Sequence, residues 1–384
     1  MAETNEARYQ IRGNLAKMYN HINLPLKSLA MSKLNYTQNP NSFDTLMEIQ
    51  FSEYLLGNLD TSEDILKQIA EHPLCPEDVR KRVLFNLGTY DLYHGKLQEG
   101  LRGFITGGKA IGIWPDAVAQ YRKWDGSDTN ETLYIVEEGG IGDSIINVRF
   151  AKISAQRGVD TVWVTLREDL KTVYNRNGIK TIMMSEFKSI TDPLVAGAMD
   201  MPVLLNIQPD ELWTGPYLQP ALEYVEKWKH LKGMVGAKWS GNALYEQDLH
   251  RSISAVEINA AVPIGKVIVS LQIDNDDDMV DVGFTSVNIQ SWEDTLGILA
   301  NLDYTVTSCT SIAHAAASIG AKVYVMVPRA AYYTWCWDRK DPTYDHRSIW
   351  YGNNVMYFQK DGPDSWDTAF EKLSTVLNNP NNSN

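Results

Sequence analysis

Residues 304–328 constrain the fold more tightly than any other stretch. Tyr304-Thr-Val-Thr307 is followed by the hydroxyl-rich turn Ser308-Cys-Thr-Ser311, an alanine-rich run ended by Gly320, and the apolar segment Val323-Tyr-Val-Met-Val327. β-Branched and aromatic residues favour strands, alanine favours helix, and glycine terminates helices. The order therefore reads strand, turn, helix, strand. Ser308, Thr310 and Ser311 then fall at a helix N-terminus, where unsatisfied N–H groups and the positive end of the dipole can hold a phosphate. An ordinary capped helix in a parallel sheet explains the same residues, and this segment alone favours that reading.

The rest of the chain divides by texture. With 384 residues there is room for two or three domains. Residues 1–125 read as helical: Phe43–Leu56 and Asp78–Tyr93 carry apolar residues at three- and four-residue spacing. Gly57-Asn-Leu59 and Gly95-Lys-Leu97 read as helix-to-helix turns. The segment Val83–Phe104 resembles a tetratricopeptide repeat through Leu87-Gly88, Gly95, Gly100 and Phe104. Isolated repeats of this kind bury their cores against neighbours, so packing on the rest of the chain is expected ahead of peptide binding.

From about residue 126, strands and helices alternate. Leu133–Val136, Thr161–Leu166, Ile179–Met183 and Met201–Leu205 read as strands of a first parallel sheet over 126–233. A second alternation over 234–377 begins at Met234–Trp239, continues through Lys266–Leu271, and ends with the unit described first. The fold class is α/β, with two doubly wound halves that imply a ligand cleft. The Asn-rich tail 378–384 reads as disordered.

Two polar loops follow strands. In Glu137-Glu-Gly-Gly-Ile-Gly-Asp143 the glycines allow close backbone approach, but the third glycine of a dinucleotide fingerprint is missing. Asp143 reads equally as a helix cap and as a general base. Trp239-Ser-Gly-Asn242 with Asp248-Leu-His-Arg251 offers Ser240, Gly241 and the forked donors of Arg251 to a phosphate. A plain Asp248–Arg251 ion pair is the alternative. His314 reads as a structural hydrogen-bonder or a phosphate contact, and the aromatic cluster Tyr332–Arg339 as packing or a stacking surface.

Composition narrows the options. A net charge of −13 argues against a broad nucleic-acid-binding face, and no apolar run approaches membrane-spanning length. Three scattered cysteines, Cys75, Cys309 and Cys336, lack metal-site spacing and suit a reducing cytoplasm. The aspartates of Asp274-Asn-Asp-Asp-Asp278 read as a solvated loop rather than a metal site. No metal site is expected.

In this order the motifs resemble those of the tetratricopeptide-linked glycosyltransferases related to the heptosyltransferases (family nine). They are Tyr121–Gly126, Glu137–Ile145, Trp239–Asn242, Arg251–Ile253, Ser270–Gln272, Thr307–His314 and Trp335–Arg339. The resemblance covers roughly residues 80–377. It implies the GT-B architecture, two Rossmann-like domains facing a cleft, with no cofactor or essential metal beyond the nucleotide-sugar co-substrate. By matching motif, Thr310, Ser311 and His314 would border the donor diphosphate. Ser240, Gly241 and Arg251 would reach it, and Gln272 would line the nucleotide pocket. Asp143 would be the base, with Glu138, Gly139, Gly140 and Gly142 forming the acceptor-side loop.

Two positions depart from the family pattern: Cys309 stands where an aspartate is usual, and Glu138 where a glutamine is. An active enzyme is still expected, in the cytoplasm of a bacterium or of a phage-infected cell. Its acceptor would be a saccharide or, in the phage setting, a hydroxymethylated pyrimidine in DNA. The competing class is a non-catalytic interaction protein with a degenerate transferase domain, for which Cys309 is the main support.

Overall fold

The computed structural model describes residues 4–113, 115–243, 248–273, 282–338, 346–363 and 365–378. The aspartate run 274–278, Arg339 and the tail beyond Asn378 lie outside these residues. Six helices come first: α1 (Asn5–His21), α2 (Pro25–Gln38), α3 (Phe43–Leu55), α4 (Leu59–Glu71), α5 (Glu77–Tyr93) and α6 (Leu97–Ala110). Gly57 and Gly95 turn the chain between helices with φ of 87° and 74°, a conformation that costs a glycine little.

The glycines of the repeat-like segment have a packing cause. A β-carbon on Gly88 of α5 would lie 2.6 Å from the backbone nitrogen of Phe104. One on Gly103 would lie 2.9 Å from the Cα of Gly88, and one on Gly107 2.9 Å from the Cα of Phe85. Helices α5 and α6 therefore cross backbone to backbone. Replacing Gly88 with alanine improves helix propensity by ~1 kcal/mol, but the neighbour it strikes is main chain and cannot swing aside. Overpacking of ~1–3 kcal/mol should win, seen as a lower melting temperature for Gly88→Ala; an unchanged or raised one would refute the close-crossing account.

Two five-stranded sheets follow, and every strand pair in them is parallel. The first contains β1 (Arg122–Lys123), β2 (Leu133–Val136), β3 (Thr161–Thr165), β4 (Thr181–Met183) and β5 (Leu194–Gly197), in the order β1-β5-β2-β3-β4. The second contains β6 (Val235–Lys238), β7 (Ile268–Ser270), β8 (Tyr304–Ser308), β9 (Val323–Val327) and β10 (Val355–Gln359), in the order β10-β9-β8-β6-β7. The expected α/β chain, with a helical region before two Rossmann-like halves, is present.

Each sheet reverses its winding once. In the first, β2 lies between β3 and β5; in the second, β6 lies between β7 and β8. Ligands of doubly wound sheets settle at such switch points, beyond the carboxyl ends of the strands. The loops that emerge there are those after β2, β5, β6 and β8.

One expected strand is a helix. Met201–Leu204 forms a helical turn with Pro202 in its first positions, and the fourth main strand of the first sheet is Leu194–Gly197 instead. A short apolar run does not reveal its period, whereas proline is suited to the first turn of a helix and cannot donate to a ladder. The helix that follows β2 begins inside the glycine loop, as α7 (Ile141–Asn147), and continues as α8 (Arg149–Gln156). The largest buried apolar cluster runs without a break from Tyr54, Leu101 and Phe104 through Ile145, Phe150 and Trp163 to Ala313 and Trp335. Helical region and both sheets thus share one core.

Candidate active site

The loop after β2 delivers Asp143 through its glycines. Gly139 has φ of 75°, and a β-carbon there would overlap the Asp143 carboxylate. Gly140 caps α7, and its N–H donates to Asp143 Oδ2 at 2.7 Å. The other carboxylate oxygen, Oδ1, accepts from the Tyr332 hydroxyl at 2.8 Å. Asp143 is therefore a helix cap as the first reading held, and it is also half-buried in the seam between the sheets. Burial raises its pKa above the ordinary aspartate value, against the lowering pull of the Gly140 and Tyr332 hydrogen bonds.

The helix Ser311–Ser318 meets α7 across that seam. A β-carbon on Gly142 would lie 2.9 Å from His314 Cδ2 and 3.6 Å from the Cα of Ser311, so the two helix N-termini abut. Thr310 is the N-cap, yet its hydroxyl turns inward to Thr307 at 3.1 Å, and no side chain caps the first turn. Uncapped first-turn amides suit an anion.

Arg251 stands beside this mouth. Its Nη1 donates to the Cys309 carbonyl at 3.2 Å, and its Nε to Asp248 Oδ1 at 2.8 Å. The ion pair with Asp248 is present, and the same guanidinium reaches the helix mouth. A β-carbon on Gly241 would overlap the guanidinium where it stands, so glycine in the loop after β6 leaves room for it in this position. Gln272 is buried, and its Oε1 accepts from the Ser240 N–H and the Lys238 ammonium, both at 3.2 Å. It braces the Ser240 loop.

Cys309 occupies the mouth itself. Burial pushes its thiol up to about 11, with the Asp143 carboxylate adding to the rise and Arg251 opposing it. A neutral thiol thus stands where an aspartate would have placed a second negative charge near Asp143. His314 is buried, stacked on Trp335 at 5.6 Å, with Nδ1 2.5 Å from the Tyr351 hydroxyl. Burial and the nearby Arg149 lower its pKa to about 3, so it is neutral at physiological pH. The structure makes it a seam residue behind Ser311.

Sequence reasoning did not single out Tyr332 or Lys109. Tyr332 was visible only as part of an aromatic cluster whose members Tyr333, Trp335 and Trp337 are buried packing. Arg149 is buried and bonded to the carbonyls of Ile146, Leu212 and Trp350 and to the Tyr217 hydroxyl. Glu137 and Glu138 are buried, paired with Arg167 and Lys109 respectively. Nothing in the spacing of Lys109 marks it as part of this region.

A separate concavity lies away from this region. It measures about 540 Å³, is lined by Lys232, Met234, Ile264 and Val267, and opens at the amino ends of β6 and β7. That is the wrong end of a parallel sheet for a ligand. Among the described residues no three His, Cys, Asp or Glu side chains gather as a metal site, and no helix is long and apolar enough to cross a membrane.

No family model and no curated protein matches the chain. Its fold is similar to that of a family 9 glycosyl transferase from Veillonella parvula, at 9% identity over 64% of this chain and 97% of that one, with a TM-score of 0.46. The E. coli heptosyltransferase WaaC with ADP-2-deoxy-2-fluoro heptose matches at 11% identity over 63% and 98%, with a TM-score of 0.42. A Thermobaculum terrenum O-GlcNAc transferase mutant matches at 10% identity over 100% and 92%, with a TM-score of 0.34. At likenesses this distant, function has to be read from this chain's own residues.

Proposed function

We propose that this chain is a nucleotide-sugar-dependent glycosyltransferase whose donor diphosphate sits at the mouth of helix Ser311–Ser318. The observation that carries the reading is the meeting of the two switch points. Asp143 lies on one side, and the uncapped amides after Thr310, with Arg251, lie on the other. An acceptor hydroxyl would attack the anomeric carbon while Asp143 takes its proton. The departing nucleoside diphosphate would gather charge against Arg251 and the helix amides, where fixed donors lower the barrier most. Cys309 leaves both halves of this machinery in place.

Charge favours a saccharide acceptor over DNA. Around the acceptor-side loop stand four carboxylates, Glu137, Glu138, Asp143 and Asp200, and two cations, Lys109 and Arg167. Four basic residues of the same half have protein partners: Lys152 the Tyr217 carbonyl, Arg157 Glu211, Lys171 Glu186 and Arg176 Glu293. A DNA acceptor needs a cationic track for its phosphates, and these residues do not supply one.

A thermal-shift screen with nucleoside diphosphates and their sugars, without and with Mg²⁺, tests the donor site. Ligands that bind only the folded chain raise its melting temperature. A shift with one nucleotide sugar that persists without Mg²⁺ is the expected result. No shift with any of them would sink the transferase reading and favour the interaction-protein account.

A further inference from the structure

Helix α6 belongs to the helical region, yet its last turn reaches the switch point of the first sheet. The Lys109 ammonium lies 2.8 Å from Glu138 Oε1 and 2.6 Å from Asp200 Oδ2, and the lysine side chain is 11% exposed. Glu138 sits on the loop after β2 and Asp200 on the loop after β5, so one cation ties together the two loops that frame the crevice. Glu138 Oε2 also accepts from the Met199 N–H at 3.3 Å, which fastens the same two loops a second time. The next residues in the chain, Gly139 and Gly140, are the ones that set Asp143.

The same helix supports the other side of that carboxylate. Phe104 packs edge-on against Tyr332 at 5.6 Å, and Tyr332 is the residue whose hydroxyl donates to Asp143. Gln98 donates to the Pro202 and Ile207 carbonyls, tying α6 to the segment that follows β5. A basic residue near a helix C-terminus paired with acids across an interface could serve stability alone. Burying a lysine with two carboxylates is, however, a weak way to gain stability, since an apolar contact of like volume often does as well or better. What the ion pairs add is fixed position, and both acids are on crevice loops rather than on the scaffold behind them.

We infer that Lys109 is a positioning residue for sugar transfer, holding the Glu138–Asp143 loop so that the base meets the acceptor hydroxyl. The inference rests on the transferase reading above, and it makes the helical region a structural part of the active site rather than a module appended to it.

The test uses the full chain with Lys109→Met and Lys109→Arg. Initial rates of nucleoside diphosphate release are measured from the nucleotide sugar that most raises the melting temperature, with water and with a panel of methyl glycosides as acceptors. Lys109→Met should lower kcat about 10- to 100-fold, the scale of a misplaced catalytic group, with KM for the nucleotide sugar changed by about twofold at most. Lys109→Arg, which keeps the charge, should recover most of the rate. An unchanged kcat in Lys109→Met would overturn the inference. So would a matched loss of kcat, donor binding and melting temperature that arginine does not rescue, since that is the pattern of a purely structural pair. If Lys109→Met does not yield folded protein, Lys109→Gln carries the same comparison. Wild-type protein that consumes no nucleotide sugar would bring down the transferase reading and this inference with it. Active wild type with an equally active Lys109→Met would remove this inference alone.

Discussion

Asp143→Asn should abolish sugar transfer, by about 10²- to 10⁴-fold, the usual contribution of a positioned base. The substitution is close to isosteric, and the local bonds can survive it. The amide oxygen can still accept from the Gly140 N–H, and the Tyr332 hydroxyl can turn from donor to acceptor. Affinity for the nucleotide sugar, measured by titration calorimetry, should therefore stay within about threefold, and the melting temperature should barely move. In the wild type, kcat should fall as pH drops through the Asp143 pKa. That limb should lie above the ordinary aspartate range because burial favours the protonated acid. Full activity in Asp143→Asn would leave the residue as a helix cap and nothing more. Loss of donor binding together with activity would mean that it acts by shaping the seam.

Arg251→Ala should strike the opposite half of the reaction. The guanidinium is fixed by Asp248 and by the Cys309 carbonyl at the helix mouth, so little ordering is left to be done when an anion arrives. Hydrogen bonds to charged groups are worth ~1.5–3 kcal/mol, which corresponds to about 10- to 100-fold weaker binding of a nucleoside diphosphate. Arg251→Lys should recover only part of this, because an ammonium cannot present two parallel donors. Asp248 loses its partner in the alanine variant, so Asp248→Asn in the same background separates a lost ligand contact from a stranded carboxylate. Diphosphate affinity unchanged in Arg251→Ala would remove the arginine from the donor site.

How much of this was legible depended on distance along the chain. β2 was read to the residue, and the strand–turn–helix–strand unit at 304–328 nearly so, because their signals are local: β-branched runs, small hydroxyl residues, a closing glycine. Met201–Leu204 failed because an apolar stretch of that length fits either period, and Pro202 was the discriminating residue. Asp143, Arg251 and Thr310 were singled out as candidates because each stands next to a glycine or hydroxyl loop that follows a strand. Lys109 and Glu138 are 29 positions apart, and Tyr332 and Asp143 189; only the tertiary fold makes them neighbours. Lys152, Arg157, Lys171 and Arg176 of the first half find carbonyl and carboxylate partners in other segments, which makes them separate ion pairs and hydrogen bonds rather than a surface track.

Arg149 has a mechanical consequence. Its guanidinium is bonded to α7 through Ile146, to Leu212 and Tyr217 between the two sheets in the chain, and to the second half through Trp350, and the Tyr217 and Tyr351 rings flank it at 4.4 and 5.0 Å. Sliding the two sheets apart would strand this buried cation, at an effective penalty of several kcal/mol. Arg149 thus acts as a rivet: it fastens α7, whose first turn carries Asp143, to the segments of Leu212, Tyr217 and Trp350, so the floor beneath that carboxylate is fixed from three directions.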